Sequence, residues 1–462
     1  MTTLFIISLL ILIGFLLLGM NIPFAFGGAL IFIIIAADIP LNSIILWGFN
    51  EITSPVLLAV PLFILFGSIV SVSGIADKIL KAINVFIGRI QGALGIIVIL
   101  ASGILGAISG SAFTGIAAVG PIMIPQMREQ GLSRGYATSL VSVSSLLGVL
   151  IPPSIPLIIY GWATGTTVLG SFLSTVGPGV LLIILFSIIN VVYTRKTVPN
   201  SLESNGVIHN NKEYEDKKQS TDFLSVEPVD MVNNKDYSVT KPSKSKTFLI
   251  AIPGLLMPVI ILGGIYGGFF TPTEAAAIAG VLSILIGFFI YRELTVKNLY
   301  STLKESTSSI GAIMSMIVLS LFLSQSYVQL RIPQELVELF VSFTESKTAM
   351  LIIVSIFLLF VGMVINDSTA MILTAPLLLP LVVSYGVDPI HFAAIMTVNL
   401  AMGGITPPYA SILYFGMRTG NAKFSEVIKP TLLFLLMGYL PVLIITVFWE
   451  PLAMFLPNLF GY

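Results

Sequence analysis

The stretch Ser109-Gly110-Ser111-Ala112-Phe113-Thr114, followed by Gly148-Val149-Leu150-Ile151-Pro152-Pro153-Ser154, has a second copy further along the chain. That copy is Asn366-Asp367-Ser368-Thr369, followed by Gly403-Gly404-Ile405-Thr406-Pro407-Pro408-Tyr409. Ser111 and Asn366 stand 255 positions apart, and so do Pro152 and Pro407. The same offset pairs Pro121 with Pro376, Pro125 with Pro380, Gly131 with Gly386, Gly161 with Gly416, and Thr164-Gly165 with Thr419-Gly420. No gap is needed from residue 111 to residue 165, so the chain is a duplicated unit.

Composition fixes the solvent. Of 462 residues, 56% are hydrophobic and 10% charged, with a mean hydropathy of +1.02; a soluble domain is about 25% charged. Many segments approach or exceed the ~18 apolar residues of a membrane-crossing helix. The expected fold class is therefore an all-α polytopic membrane protein. A formal net charge of +0 gives no case for a nucleic-acid partner. The absence of cysteine removes disulfides, thiolate nucleophiles and thiolate metal sites. Met1 to Met20 lacks the basic start and small-residue cleavage site of a signal peptide, and reads as the first crossing helix.

Taken in order, Leu4 to Met20 and Phe24 to Ala37 cross. Asp38 to Pro55 reads as interfacial, with Trp47 at headgroup depth. Pro61 to Ser73 crosses, and Asp77 to Gln91 is an amphipathic helix along the surface. Gly92 to Arg128 has a small, polar middle and basic residues at both ends, which predicts a re-entrant hairpin over 92–128 with Ser109-Gly110-Ser111 at its tip. Non-helical backbone at that depth is tolerated only inside protein or beside a cavity. Residues 132–165 read as one helix broken at Pro152-Pro153. Val176 to Tyr193 crosses back. Residues 199–247, rich in Asn, Lys, Glu and Ser, read as a polar, disordered cytoplasmic linker. The second half repeats the plan: Phe248 to Tyr266, Glu274 to Tyr291, Ile310 to Ser326, a short amphipathic piece Ile332 to Phe343, a hairpin over 348–385, a broken helix over 389–420, and a C-terminal helix within 431–462. The distribution of Lys and Arg predicts an inverted repeat with both termini outside.

A helix broken in mid-membrane leaves backbone groups without partners unless protein, water or a ligand supplies them. Carbonyls of an unwound turn with Ser and Thr hydroxyls suit Na⁺, and helix N-termini suit a carboxylate. The pattern predicts two cation sites with an anionic substrate between them. The first takes Ser109, Gly110, Ser111, Ser145, Gly148 and Pro152. The second takes Asn366, Asp367, Thr369, Gly403, Thr406 and Pro408. The substrate is placed against Ser111, Thr114, Ser154, Thr369, Tyr409 and Arg418. Asp367, whose first-half counterpart is Ala112, reads as a cation ligand, a proton carrier or a cap for the amides of the hairpin's second limb. Arg418 reads as an ordinary cytoplasmic-end charge or as a contact for a substrate carboxylate. Glu274 reads as an N-terminal helix residue. His209 falls in the linker and His391 near a helix start on the outer face, neither with partners for a metal.

At Gly110-Ser-Ala, Gly120-Pro-Ile-Met-Ile-Pro, Leu150-Ile-Pro-Pro-Ser and Ile405-Thr-Pro-Pro-Tyr the chain resembles the large (M) membrane subunit of tripartite ATP-independent periplasmic (TRAP) transporters. The resemblance spans all but the linker. It implies an elevator-type transporter of the bacterial cytoplasmic (inner) membrane, similar in architecture to divalent-anion:sodium symporters. It further implies no enzymatic activity and Na⁺-coupled import of a small carboxylate, such as a C4-dicarboxylate or sialic acid, with two or more Na⁺. The partners it implies are a periplasmic substrate-binding protein and a small four-helix membrane subunit, here expected as a separate chain. On this resemblance residues 1–60 and 248–309 are scaffold, and 61–198 and 310–430 hold the transport regions. A stand-alone Na⁺/carboxylate symporter is the first rival. An intramembrane hydrolase is a distant one, since Ala107-Ile108-Ser109-Gly110 lacks the first glycine of Gly-x-Ser-Gly. A passive channel would have no use for duplicated ion-type sites.

Overall fold

The computed structural model describes residues 2–87, 92–198, 244–407 and 410–462. Among them every regular element is a helix. The first half runs α1 (Thr2–Leu17), α2 (Ile22–Ala36), α3 (Leu41–Ile52), α4 (Ala59–Val72), α5 (Ile75–Ile87), α6 (Ala93–Ser109), α7 (Ala112–Glu129), α8 (Arg134–Ser145), α9 (Leu147–Leu150), α10 (Ile155–Thr164) and α11 (Val168–Thr197). The second runs α12 (Lys244–Tyr266), α13 (Pro272–Leu285), α14 (Val296–Gln329), α15 (Ile332–Phe343), α16 (Lys347–Val364), α17 (Asp367–Ser384), α18 (Pro389–Gly403), α19 (Ser411–Gly420), α20 (Phe424–Phe434), α21 (Leu440–Phe448) and α22 (Pro451–Leu459). Among the described residues eight helical spans are long and apolar enough to cross a membrane, Arg134–Thr164 and Phe424–Phe448 each combining several of these helices.

The duplication is visible element by element. α7 and α17 each have 18 residues, and both their ends stand 255 positions apart. α6 and α16 end, and α8 and α18 begin, at the same offset. Each half thus contains two antiparallel limbs joined by a two-residue tip, then a helix that stops and restarts.

The halves interlock through these parts. α10 packs on α17, and α19 packs on α7 and α8. Phe113 and Phe415 meet edge to face at 5.7 Å. Gly416 and Gly420 let α19 lie directly on the hydroxyl side chains of Ser142 and Thr138. Ser139 Oγ donates to the Val427 carbonyl at 2.8 Å, and Tyr160 Oη donates to the Pro389 carbonyl at 2.6 Å.

Several boundaries differ from the sequence reading. The interfacial stretch forms the twelve-residue helix α3. α11 reaches 30 residues and α14 34, because polar but helix-competent turns extend their apolar windows. At 1.5 Å per residue α14 is about 51 Å long, well beyond a ~30 Å hydrocarbon layer. The single helix expected within 431–462 is α20 and α21, joined by a π-helical turn over Leu435–Tyr439, and then a separate α22. Pro451 starts α22, and Trp449, non-helical at φ −118°, ends what precedes it. α12 takes in the last four residues of the expected linker, 244–247. Residues 199–243 of that linker, and residues 88–91 at the end of the amphipathic helix expected over Asp77 to Gln91, lie outside the described residues.

Candidate functional site

The first hairpin turns at Gly110, whose φ of +67° is the left-handed conformation that glycine adopts without a Cβ penalty. Its N–H closes α6 on the Gly106 carbonyl at 2.7 Å. Ser111 is extended at φ −139°, ψ 136°, and α7 starts at the next residue. This tip meets the break in the following helix. The Ile155 N–H donates to the Gly110 carbonyl at 3.3 Å, and a Cβ on Gly110 would stand 2.9 Å from the Pro153 carbonyl. One turn back, Gly106 lies against the Gly148 backbone, and a Cβ on Gly148 would stand 2.8 Å from the Ser111 carbonyl. α9 ends where Ile151 turns extended at φ −88°, ψ 119°, and Ser154 is extended before α10.

Hydroxyl groups gather here. Ser109 is fully buried, and its Oγ donates to the Ser111 carbonyl at 3.4 Å. Gly67 of α4 leaves room for Ser109 and for Thr114 Oγ1. Ser145 Oγ donates to the Ser142 carbonyl at 2.7 Å, leaving its lone pairs free. Ser154 Oγ is buried with no hydrogen-bond partner. Gly115 opens a space whose Cβ position lies 3.3 Å from Ser145 Cβ and 3.9 Å from Ser102 Cβ.

The second tip has the same plan and a different chemistry. Ile365 and Asn366 are extended, and α17 begins at Asp367. The Ser368 N–H donates to Asn366 Oδ1 at 3.1 Å and to Asp367 Oδ1 at 2.8 Å. Asn366 is thus the N-cap of α17 and Asp367 the acidic residue of its first turn, with no ion-pair partner among the described residues. Gly362 of α16 and Gly403 of α18 touch backbone to backbone, as Gly106 and Gly148 do. Past Gly403 the Ile412 N–H reaches over the break to the Gly404 carbonyl at 3.1 Å. Thr406 Oγ1 donates to the Met402 carbonyl at 2.7 Å, and Thr369 Oγ1 is buried without a partner.

The structure therefore brings Ser109, Gly110, Ser111, Ser145, Gly148 and Ser154, with Pro152 in the break itself, around the first tip. In the second half Gly403 meets Gly362 and the Met363 amide of α16, just before the tip that carries Asn366, Asp367 and Thr369, while Thr406 lies past Gly403 in the break. Pro408 and Tyr409 lie outside the described residues. Arg418 is exposed on α19. Glu274 forms a capping box with Thr271: the Thr271 N–H donates to Glu274 Oε2 at 2.8 Å, and the Glu274 N–H to Thr271 Oγ1 at 3.3 Å. His391 is in the first turn of α18, as a helix-start residue should be, but it is buried, with Nε2 2.7 Å from the Thr446 carbonyl oxygen.

Three polar residues near these sites escaped the sequence reading. Ser102 and Ser144 are fully buried, with hydroxyls that find no partner. Asn399, also fully buried, donates from Nδ2 to the Ile395 carbonyl at 2.7 Å and leaves Oδ1 unpaired. Ser144 and Asn399 are themselves 255 positions apart, so the register that revealed the duplication held the signal for both.

Two hairpin tips seated on two helix breaks describe a duplicated transporter-like core, and the family comparison decides which one. Residues 9–451 match the family model "Tripartite ATP-independent periplasmic transporter, DctM component". The chain belongs to that family. As a TRAP large-subunit protein it is 32% identical over 450 residues to the uncharacterized protein YgiK of Salmonella typhimurium, covering 96% of this chain and 94% of YgiK. It is 31% identical over 436 residues to the C4-dicarboxylate TRAP transporter large permease protein DctM of Pseudomonas aeruginosa, covering 94% of this chain and 93% of that protein. It is 29% identical over 463 residues to the sialic acid TRAP transporter large permease protein SiaM of Vibrio cholerae, covering 97% and 98%. In fold the TRAP chain is similar to the Alcanivorax borkumensis YdaH transporter, with a TM-score of 0.59 at 15% identity over 89% of this chain and 90% of that one. The protein is accordingly a multi-pass membrane transporter subunit and not an enzyme.

Proposed function

We propose that this TRAP large subunit is the translocating element of a sodium-coupled importer for a small organic acid, fed by a periplasmic binding protein and completed by a small membrane subunit. The observation that carries this reading is the pairing, once in each half, of a hairpin with a helix break, glycine against glycine: Gly106 on Gly148 and, one residue out of register, Gly362 on Gly403. Each pairing encloses backbone carbonyls and Ser or Thr hydroxyls, the hard oxygen donors that suit Na⁺. The site residues grouped above are the proposed ligands, with the acid between the two tips.

The depth of the tips supports a re-entrant arrangement. The break at Ile151 to Ser154 falls inside the 31-residue span Arg134–Thr164. A tip hydrogen-bonded to that break ends at about the same depth instead of at the far surface. Inversion of the two halves accounts for the basic residues gathering on one side, and movement of the paired core against α1, α2, α12 and α13 is the elevator step of this proposal. The cargo class is drawn from the C4-dicarboxylate and sialic acid relatives.

Uptake into proteoliposomes tests the proposal, with succinate and N-acetylneuraminate as probes and with or without the cognate binding protein. An inward sodium gradient should be required. Uptake of either acid at equal speed in sodium-free medium overturns the coupling, and full uptake without the binding protein favours a stand-alone symporter.

A further inference from the structure

The duplication repeats a fastening as well as the tips. Tyr136 and His391 stand 255 positions apart, each the third residue of the helix that begins a broken span, and each is buried. In the first half Tyr136 Oη donates to Asn190 of α11, which in turn holds the Gly92 carbonyl at the foot of the first hairpin. In the second half His391 Nε2 lies 2.7 Å from the Thr446 carbonyl oxygen of α21. Thr446 comes 256 positions after Asn190, so the fastening recurs with one residue of slip. Two further bonds close the foot of the second hairpin: Lys347 Nζ donates to the Gly386 carbonyl at 2.9 Å, and Tyr385 Oη to the Thr344 carbonyl at 2.6 Å.

The two fastenings differ in chemistry. A phenol and an amide stay neutral at physiological pH, and an imidazole titrates there. A carbonyl oxygen only accepts, so His391 Nε2 carries the hydrogen and Nδ1 is the bare acceptor of the neutral ring. Nδ1 is buried and has no hydrogen-bond partner among the described residues. A second proton there would create an N–H with nothing to donate to. The charged groups that face the ring are Glu450, Lys347 and Asp388. Asp388 Oδ1 is already taken by the Ile390 and His391 N–H groups at 2.7 and 3.4 Å. Lys347 of α16 is itself a cation, and Glu450, between α21 and α22, makes no bond to Nδ1. The neighbouring phenols, Tyr160 of α10 and Tyr385 after α17, are committed to the Pro389 and Thr344 carbonyls. α11 carries its ionisable residues in its last turns, and α22 has none.

We propose that His391 is a positioning residue for the second hairpin: as the neutral imidazole it fastens α18 to α21, and acid on its side of the membrane releases it. The sign follows from the two forms of the ring. Held in place, it has no acceptor for a second proton. Released to water, an ordinary imidazole takes one up below about pH 6.5. Each unit of acidification below that value favours the released form by up to about tenfold. Tyr136 with Asn190 has no such dependence, so acid loosens one half of the core and spares the other. The fastening is independent of what the protein carries. Its effect on uptake rests on the proposed function, whose topology places His391 on the outer face, so that an acidic exterior slows uptake.

The chain contains no cysteine, so a single thiol reports on the fastening. Thr446 is fully buried, and Thr446→Cys keeps the backbone carbonyl that His391 holds. The full-length protein with that cysteine is treated in detergent with 2,2′-dithiodipyridine at about pH 7.5 and about pH 5.5, on either side of the ordinary imidazole titration. The same cysteine in a His391→Gln background is the control. Glutamine donates from Nε2 and does not titrate, and the reagent's own pH dependence cancels in the ratio. From the higher to the lower pH, labelling should speed up about tenfold more with His391 than with glutamine. Uptake of succinate or N-acetylneuraminate by the cysteine-free protein should fall several-fold on external acidification, relative to His391→Gln. His391→Asn replaces His391→Gln, and Val447→Cys replaces Thr446→Cys, where the first choice does not fold. Equal pH dependence of labelling in the two backgrounds, or faster labelling at the higher pH, overturns the proposal. Labelling that rises without loss of uptake overturns the positioning role. Sodium-independent uptake would overturn the coupling and leave the labelling ratio untouched, so the two failures are distinguishable.

Discussion

Gly106 and Gly148 pack backbone on backbone: a Cβ on Gly148 would stand 3.1 Å from the Gly106 Cα and 2.8 Å from the Ser111 carbonyl. No flexible side chain is there to move aside, so the hairpin and the broken helix must part to admit even one methyl group. Overpacking of this kind costs about 1–3 kcal/mol. Gly148→Ala should lower the thermal midpoint of the purified protein by several degrees and reduce uptake further, since the tip is displaced from the break. Gly403→Ala, against Gly362, should behave alike. Thermal unfolding followed by size-exclusion chromatography measures the first effect. Wild-type midpoints in both variants would show that the glycine contacts do not set the helix spacing.

Sodium ligation predicts a separation of parameters. Ser111 is placed at the first site and Thr406 at the second, and Thr406 Oγ1 has lone pairs to spare after donating to Met402. Loss of one ligand hydroxyl is worth about 1 kcal/mol, which is roughly a fivefold rise in the half-saturating sodium concentration. Ser111→Ala and Thr406→Ala should each show that rise with near-normal thermal midpoints. Sodium activation curves for uptake provide the measurement, and unaltered curves in both variants would remove the site assignment.

The base of the first hairpin depends on one amide. Asn190 accepts from Tyr136 Oη at 3.0 Å and donates from Nδ2 to the Gly92 carbonyl at 2.9 Å, all of it buried. Asn190→Ala strands both partners, each at about 1–3 kcal/mol. It should be the most destabilising change offered here and should lower the yield of folded protein. Tyr136→Phe keeps the ring stacked on Tyr193 at 3.9 Å and leaves only the Asn190 acceptor unpaired, so its effect should be about half as large. Equal midpoints for both variants and wild type would show that water replaces the lost groups.

Much of this core was legible because duplication supplies its own control. A lone serine or proline in an apolar helix carries little information, but Ser111 matched to Asn366 and Pro152 matched to Pro407 fixed the tips and the breaks. The ends of α7 and α17 then fell at one offset. Legibility failed where no copy exists to compare. α14 extends through polar turns that no hydropathy window would include, and α22 follows Trp449 after a break only the backbone reveals. Ser102 is invisible for a different reason: its significance lies in the missing Cβ of Gly115, a contact between helices and not a spacing along one. Asn399 was within reach through its register with Ser144, and an asparagine in mid-helix is easily passed over as a back-bonded residue.

The polar stretch between the halves makes a prediction from composition alone. Residues 205–241 have almost no apolar periodicity and are rich in Asn, Lys, Asp and Ser. Removing Asn205 to Lys241 leaves a shorter connection of the same polar character. Uptake should stay within about twofold of wild type, because each halving of a connection's length changes its closure cost by only ~0.6 kcal/mol. A deletion protein that reaches the membrane in normal amount yet does not transport would show that the stretch acts in the cycle.

The second helix break gives a prediction in which stability and activity should move in opposite directions. α18 ends at Gly403 and α19 starts at Ser411, with Ala410 left-handed at φ +37° just before it. Pro407-Pro408 withholds two backbone donors from any helical continuation. Replacing both with alanine restores those donors and lowers the cost of a helical turn by about 3 kcal/mol per residue. Helix should then grow into the segment that carries Thr406 and the free carbonyls of the second site. Pro407→Ala with Pro408→Ala should therefore have a thermal midpoint equal to or above wild type, together with an uptake rate at least about tenfold lower. A lower midpoint with lost uptake would mean simple misfolding. Full uptake with a raised midpoint would mean that the unwound turn is not required, and the proposed cation site there would fall with it.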